Sequence, residues 1–484
     1  MEAHERGAAV SSSAEASAAT SGESQFVVVA NRLPVDRVTN PDGSEGWTRS
    51  PGGLVSALAP VMRKQDGSWV GWVGSPDEAP EPFHSDGMDL VAVALSAQEI
   101  QDFYEGFSNA TLWPLYHDVI VPAEFHREWW DSYVQVNRRF ASAAAEVAAE
   151  GAIVWVQDYQ LQLVPMQLRE MRPDLRIGFF LHIPFPPKEL FAQLPWRRQI
   201  IEGLLGADLV GFQREGAVGN FLDIAAKYTS ARPISSNQVA VDGRRVTAGA
   251  FPISLEVEEI ERLVDDESVQ ARAQSIREEL GSPARVLLGV DRLDYTKGIR
   301  HRLKAWSELL ADGDVTPQDA VFVQVATPSR ERVDAYAALR DEIELEVGHI
   351  NGEYGTIGSP PIHYLHSTYD RRELVAMFMA ADVAVVTPLR DGMNLVAKEY
   401  VAARVDNRGT VVLSEFAGAA DHLTGSVLVN PHDIDGLKAA LLEALHMPER
   451  EQERRMRAMR AEVKDHDVAW WADTFVTCLR DECQ

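Results

Sequence analysis

Cysteine is almost absent. The only two, Cys478 and Cys483, sit near the end of a 484-residue chain. They form no disulfide framework, and this usage fits a reducing cytoplasm. No apolar run reaches the roughly 18 residues that a membrane-crossing helix needs, so no such helix is expected. Positive charge is scarce: 46 Lys and Arg stand against 73 Asp and Glu, a formal net charge of −27. Nucleic acid and anionic membrane would repel the chain as a whole, and neither is expected as a partner. Any phosphate must therefore be held locally by a few converging cations. No period of roughly 20 to 50 residues recurs, which excludes a solenoid. The first strand exits as Asn31-Arg32-Leu33-Pro34, without the Gly-x-Gly-x-x-Gly that a nicotinamide dehydrogenase wants. The first residues lack both a basic start and an apolar core, so they do not read as a secretory signal. Rich in Ala, Ser, Glu and Gly, residues 1–24 are expected to form a disordered tail.

What remains is an alternation of apolar strands and helices, which gives an α/β fold with parallel sheets. The length suits two or three domains, each able to bury its own core. Buried-type strands repeatedly deliver a polar or charged residue at their carboxyl ends: Arg32 after Phe26–Ala30, Asp158 after Ile153–Gln157, His182 after Arg176–Leu181, Arg292 and Lys297 after Arg285–Val290, and Arg330 after Ala320–Thr327. In open parallel sheets ligands bind beyond those ends. The most informative stretch is Ala381–Glu399. Val383–Val386 reads as a strand buried on both faces. Pro388 and Gly392 break it, and Asn394 caps a helix that starts at Leu395. Free amides at that helix start suit a diphosphate, and Asp391 at the loop tip can accept hydrogen bonds from sugar hydroxyls. Between these landmarks, Val35–Ser50 reads as a long polar loop, Pro51–Leu58 as the opening of a helix, Glu124–Ala149 as one long helix, and Asp467–Asp481 as a terminal helix.

Pro388-Leu-Arg-Asp-Gly-Met-Asn-Leu-Val-Ala-Lys-Glu399 closely resembles the donor-binding loop of the trehalose-6-phosphate synthases. These are retaining glycosyltransferases with two Rossmann-like domains facing across a cleft (the GT-B architecture). The resemblance runs from about Phe26 to the C-terminus. It implies a first, acceptor domain over residues 25–254, a nucleotide-sugar domain over 255–465, and a terminal helix over 466–484 that packs back on the first domain. It implies that Arg32, Trp72, Tyr104, Trp113, Asp158 and Arg330 bind glucose 6-phosphate. Gly52, Gly53, His182, Arg292, Lys297 and Tyr369 are implied on the donor side. So is the loop run Asp391, Gly392, Met393, Asn394, Leu395, Val396, Ala397, Lys398 and Glu399. Arg292, Lys297, Asp391 and His182 are the implied catalytic group. The family commonly carries His where this chain has Gln157 and Gln160, a departure that bears on acceptor positioning.

The activity so implied is transfer of glucose, with retention, from a nucleoside-diphosphate glucose to glucose 6-phosphate. UDP-glucose is the favoured donor, with GDP- and ADP-glucose as alternatives. No cofactor or metal is expected. The Asp-x-Asp pairs Asp312/Asp314, Asp433/Asp435 and Asp465/Asp467 do not follow strong strands as a metal–diphosphate site would. Homo-oligomers are common for such enzymes. Two other readings keep the fold: a transferase with another phosphorylated acceptor such as glycerol 3-phosphate, and a non-catalytic sugar-phosphate sensor. The sensor would usually lack the phosphate cations or the loop aspartate, and Arg292, Lys297 and Asp391 are all present.

Overall fold

The computed structural model describes residues 17–18, 23–39, 43–50, 67–330 and 333–481, with Val55, Leu58 and Met62. Two large sheets divide the described residues. The first has 11 strands. At its centre Ser68–Trp72, Ser24–Arg32, Ala148–Gln157, Arg176–Phe180, Leu209–Phe212 and Arg244–Ala250 lie side by side, all parallel. The second has six strands, all parallel, in the spatial order Ile362–Leu365, Ala320–Thr327, Arg285–Arg292, Val383–Val386, Thr410–Ser414 and Val427–Val429. The strands form where β-branched and aromatic residues are buried on both faces. Val27, Val28 and Val29 are fully buried, as are Trp155 and Val385.

Each sheet has a point where strand order reverses, and both points matter for function. In the first sheet it lies between Ser24–Arg32 and Ala148–Gln157. In the second it lies between Arg285–Arg292 and Val383–Val386. The chain crosses between the sheets after Ala250, and the helices Val257–Val264 and Glu267–Glu279 then pack on the second domain. The last helix, Val468–Asp481, returns to the first sheet. Phe475 stacks on Trp155 with ring centroids 4.5 Å apart. Gly178 and Gly211 leave room for it, since a Cβ at either would come within 2.8 or 2.6 Å of the Phe475 ring. Trp471 Nε1 donates to the Phe251 carbonyl at 3.2 Å, and the Val468 amide to Leu255 at 3.1 Å. The terminal helix is therefore bonded to the crossing itself.

Three sequence expectations change. The polar loop over Val35–Ser50 is an antiparallel hairpin of Val35–Thr39 and Glu45–Arg49; Trp47 anchors it by stacking on Phe83 at 4.8 Å. The long helix is shorter, Arg127–Val147, and Ala148 passes directly into a strand. Of the tail expected over residues 1–24, Ser17–Ala18 pair antiparallel with Phe83–His84, and Ser24 opens a strand, its hydroxyl 2.6 Å from that of Ser68. The rest of that tail lies outside the described residues apart from Glu23. Val55, Leu58 and Met62 are helical, as the opening Pro51–Leu58 suggested. Among the described residues no helix is long and apolar enough to cross a membrane.

Candidate active site

The second domain supplies two adjacent strand exits. After Arg285–Arg292 the chain turns sharply: Asp294 accepts from the Thr296 amide at 2.9 Å and caps the short turn Tyr295–Lys297. The buried Arg302 guanidinium braces this turn against the neighbouring exit. It donates to the Lys297 carbonyl at 2.7 Å, to Thr387 Oγ1 at 3.0 Å and to Asp291 at 2.7 Å. Lys297 Nζ then reaches Asp391 at 2.6 Å. Burial alone would raise the Asp391 carboxyl, but Lys297 outweighs it and holds the group below its ordinary range, so it stays ionised.

The loop after Val383–Val386 is set by Asn394. Its backbone is left-handed, with φ 79°, and its side chain accepts from the Ala397 amide at 3.2 Å, capping Leu395–Ala403. The same side chain donates to Asp391 at 3.2 Å. One residue thus starts the helix and fixes the carboxylate. Gly392 passes against the first domain so closely that a Cβ would lie 2.2 Å from the His182 carbonyl oxygen. No other residue type fits there without moving the loop.

The first domain answers from across the cleft. Asp158, with φ 71°, accepts from the His182 amide at 3.1 Å. Burial pushes its carboxyl up to about 6, only partly opposed by that bond and by Arg330 and Arg292. Burial likewise pushes the His182 imidazole down to about 3, so the ring is neutral at working pH. Trp113 follows the π-helical turn Ile100–Leu112 that carries Tyr104. Its ring lies 3.7 Å from the Arg330 guanidinium and 5.2 Å from that of Arg292. Arg330 also bonds Tyr159 of the first domain at 3.0 Å and Asp294 at 3.2 Å. Asp294 would be raised by its burial, yet Arg330, Arg292 and Lys297 bring it down to about 2. Asp158, Arg330 and Asn394 are all non-glycine residues at positive φ, a strain that collects at functional sites.

These groups enclose a cavity of about 470 Å³ lined by Asp158, His182, Arg292, Lys297, Asp391, Met393, Asn394, Leu395, Val396 and Glu399. A smaller space of about 290 Å³ lies beside it, lined by Tyr104, Asn109 and Arg330. Arg32 lines neither. It is held by Asp36 at 2.9 Å and lies 5.2 Å over Trp72, whose ring is 6.1 Å from that of Tyr104.

Three donor-side expectations, Lys398, Ala397 and Tyr369, stand differently. Lys398 turns its ammonium away from the cavity to the Ile253 carbonyl at 2.9 Å, because its position on the Leu395–Ala403 helix faces the domain crossing. Ala397 is buried, its amide taken by the Asn394 cap. Tyr369 is half-buried and packs on the core rather than lining the cavity. Gly52 and Gly53 lie outside the described residues. Asp294, Arg302, Tyr159 and Tyr336, whose hydroxyl accepts from Arg330 at 2.5 Å and donates to Asp294 at 3.1 Å, are neighbours of the site that the sequence reading missed. Asp294 follows Arg292 closely and Arg302 lies on the helix that Lys297 leads into, so a charge beside a strand exit was the available signal. Tyr159 and Tyr336 gave none.

No group of three or more His, Cys, Asp or Glu that could hold a metal occurs among the described residues. The acidic pairs have other duties: Asp312 bonds Lys438 at 2.5 Å, Asp433 caps Ile434–His446, and Asp467 accepts from the Trp470 amide.

Comparison with known proteins places the chain in a family. The family model described as glycosyltransferase family 20 matches residues 24–481. The chain is 59% identical over 469 residues to a trehalose-6-phosphate synthase of Mycobacterium sp. (strain KMS), covering 95% of this chain and 96% of that protein. Among solved structures it is similar to a UDP-forming alpha,alpha-trehalose-phosphate synthase from Burkholderia vietnamiensis, with TM-score 0.87, 35% identity, and 95% and 97% of the two chains covered. A UDP-forming relative from Burkholderia xenovorans in complex with glucose-6-phosphate gives TM-score 0.84 at 35% identity, covering 94% and 100%. An E. coli enzyme bound with UDP-2-fluoro glucose gives 0.85 at 35%, covering 94% and 98%.

Proposed function

The chain belongs to glycosyltransferase family 20, the trehalose-6-phosphate synthases, and from that premise we propose that it transfers glucose from UDP-glucose to glucose 6-phosphate with retention. The product is α,α-trehalose 6-phosphate. The observation that carries this reading is the convergence of Arg292, Lys297 and the Asn394-capped helix start on one cavity that Asp158 and His182 close from the other domain. The donor and acceptor are supported by relatives described as UDP-forming, bound with UDP-2-fluoro glucose, and complexed with glucose-6-phosphate.

The leaving group is a nucleoside diphosphate. Its charge grows as the bond from C1 of glucose to the phosphate oxygen breaks. Arg292, Lys297 and the first-turn amides stabilise that charge without reorganising. Asp391, kept ionised by Lys297, takes hydroxyls of the donor sugar, and Asp158 takes those of the acceptor. The cavity carboxylates are otherwise engaged: Asp391 with Lys297 and Asn394, Asp291 with Arg302, Asp158 with the His182 amide, and Glu399 with Arg371 at 3.9 Å. None is left as an evident double-displacement nucleophile. The anomeric oxygen of the acceptor therefore attacks C1 on the face the phosphate leaves, and its proton passes to the departing phosphate oxygen. The cations supply the charge stabilisation, and the reaction proceeds without metal.

The test is a product assay. Protein is mixed with glucose 6-phosphate and, separately, UDP-, GDP- and ADP-glucose, all with EDTA. Trehalose 6-phosphate should form fastest with UDP-glucose. Activity restored only by added divalent metal would sink the metal-free mechanism. An isolable glucosyl–enzyme adduct would sink front-face attack. No product from folded protein would sink the assignment of substrates.

A further inference from the structure

We propose that Gln157 is a positioning residue that fixes the tautomer of His182, so that His182 Nδ1 faces the donor sugar as a hydrogen-bond acceptor. The inference rests on the donor reading above and adds a residue to it. His182 Nε2 lies 2.9 Å from Gln157 Oε1. The ring sits between Phe180 and Trp471, at centroid distances of 4.7 and 6.2 Å, which offer it no polar partner. The Gln157 side chain is fully buried, and its Nε2 has no hydrogen-bond partner. An unmet buried N–H is costly to leave. The amide thus meets the ring with its carbonyl at the expense of its own donor.

A neutral imidazole carries one N–H, and the hydrogen bond at one nitrogen decides the role of the other. With Nε2–H donating to Gln157 Oε1, Nδ1 holds a lone pair. His182 lines the cavity, and Nδ1 is the ring nitrogen left to face it. It can accept from a sugar hydroxyl and cannot donate to one. Asp391, on the opposite wall, is likewise an acceptor. The pocket so built favours a sugar presenting hydroxyl donors to both walls. The family's common histidine at position 157 could present either a donor or an acceptor to this ring. The glutamine, with its carbonyl turned to Nε2, removes that choice.

The experiment uses the full-length protein labelled with ¹⁵N-histidine, with His182→Gln identifying the resonances. Long-range proton–nitrogen correlations read the tautomer directly. The substrate-free enzyme should show a protonated Nε2 and an unprotonated Nδ1. A protonated Nδ1 overturns the proposal outright, whatever the substrate. Adding UDP-glucose should move the Nδ1 resonance, and UDP alone should not. If the tautomer is as stated but the sugar nucleotide leaves Nδ1 unmoved, the sugar-facing half of the proposal falls while the substrate assay stands apart. In Gln157→Leu the tautomers should mix and the donor KM should rise about tenfold, with kcat less affected. A single unchanged tautomer in that variant removes Gln157 as its cause. Should the variant fail to fold, the wild-type spectrum still decides.

Discussion

The two walls of the cleft are built differently. The wall we propose for the donor is local. Lys297 and Asp391 come from loops at adjacent strand exits, Arg302 braces both loops, and Asn394 caps the helix and holds the aspartate. The wall we propose for the acceptor is assembled from distant segments. Arg330 of the second domain lies on Trp113 and bonds Tyr159 of the first, while Arg32 waits on Asp36 behind Trp72 and Tyr104. The wall we propose for the donor is thus preorganised largely within one domain, with His182 reaching it from the other. The acceptor wall is complete only when the domains meet.

The largest effect should come from the donor wall. Lys297→Ala removes a cation that both faces the leaving group and keeps Asp391 ionised, so turnover should fall by about 10²-fold or more. Turnover within about twofold of the native enzyme would break the idea that this wall carries the chemistry. Gly392→Ala is the next test. Its Cβ would come within 2.2 Å of the His182 carbonyl, so the loop must shift and carry Asp391 with it. A misplacement of about 1 Å can cost up to 10²-fold in turnover, and a loss of that order is expected. Steady-state kinetics at saturating substrates check both.

The acceptor wall should answer more mildly and in KM. Arg330→Lys keeps the charge but loses the planar fork that joins Tyr159, Asp294 and the Trp113 face. The acceptor KM should rise about tenfold with the donor KM little changed, since one or two charge-assisted hydrogen bonds are lost. An equal rise in both constants would mean that the two walls are not separable. Asp158 gives this wall a pH signature. Its folded pKa, about 6, lies above the ordinary 3.8, and the carboxylate is the useful form. Activity should fall as pH drops through about 6, close to tenfold per unit below it. Stability runs the other way. The folded state binds the extra proton between the two values, so the Asp158 contribution is present in full below about 3.8 and is lost as pH rises through about 6. A pH–rate profile and a melting series separate the two trends. Parallel trends would assign the acid limb to another group.

The contrast between local and assembled also explains what could be read from the sequence. Val383–Val386, Asn394 as cap and the strand exits at Arg292 and Lys297 are contiguous patterns, and the structure has them where expected. The hairpin at Val35–Ser50 was missed because its strands are polar, and what holds it is Trp47 packing on a distant Phe83. Tyr159 beside Arg330 was missed for the same reason: no spacing along the chain links residue 159 to residue 330. Lys398 was misplaced by a subtler route. Its neighbours in the loop face the cavity, but a helix turns about 100° per residue, and that rotation aims it at Ile253.

Lys398 therefore offers the smallest expected effect and a sharp test of that rotation. Its ammonium is buried on the Ile253 carbonyl at the crossing between domains. Burial lowers its pKa from 10.5 to about 8, with Glu462 opposing. Between those values the unfolded chain binds more protons than the folded one, so native stability should rise as pH climbs from about 8 toward 10.5. Lys398→Met removes the titration and should flatten that slope. It also leaves the Ile253 carbonyl unmet, at a cost of about 1–3 kcal/mol that the lost burden of a buried charge offsets. Both kinetic constants for the donor should stay near native values, because the side chain does not reach the cavity. A donor KM raised about tenfold, with the pH slope of stability unchanged, would return Lys398 to the donor wall. The division between a wall that binds and a crossing that joins would then have to be redrawn through this helix.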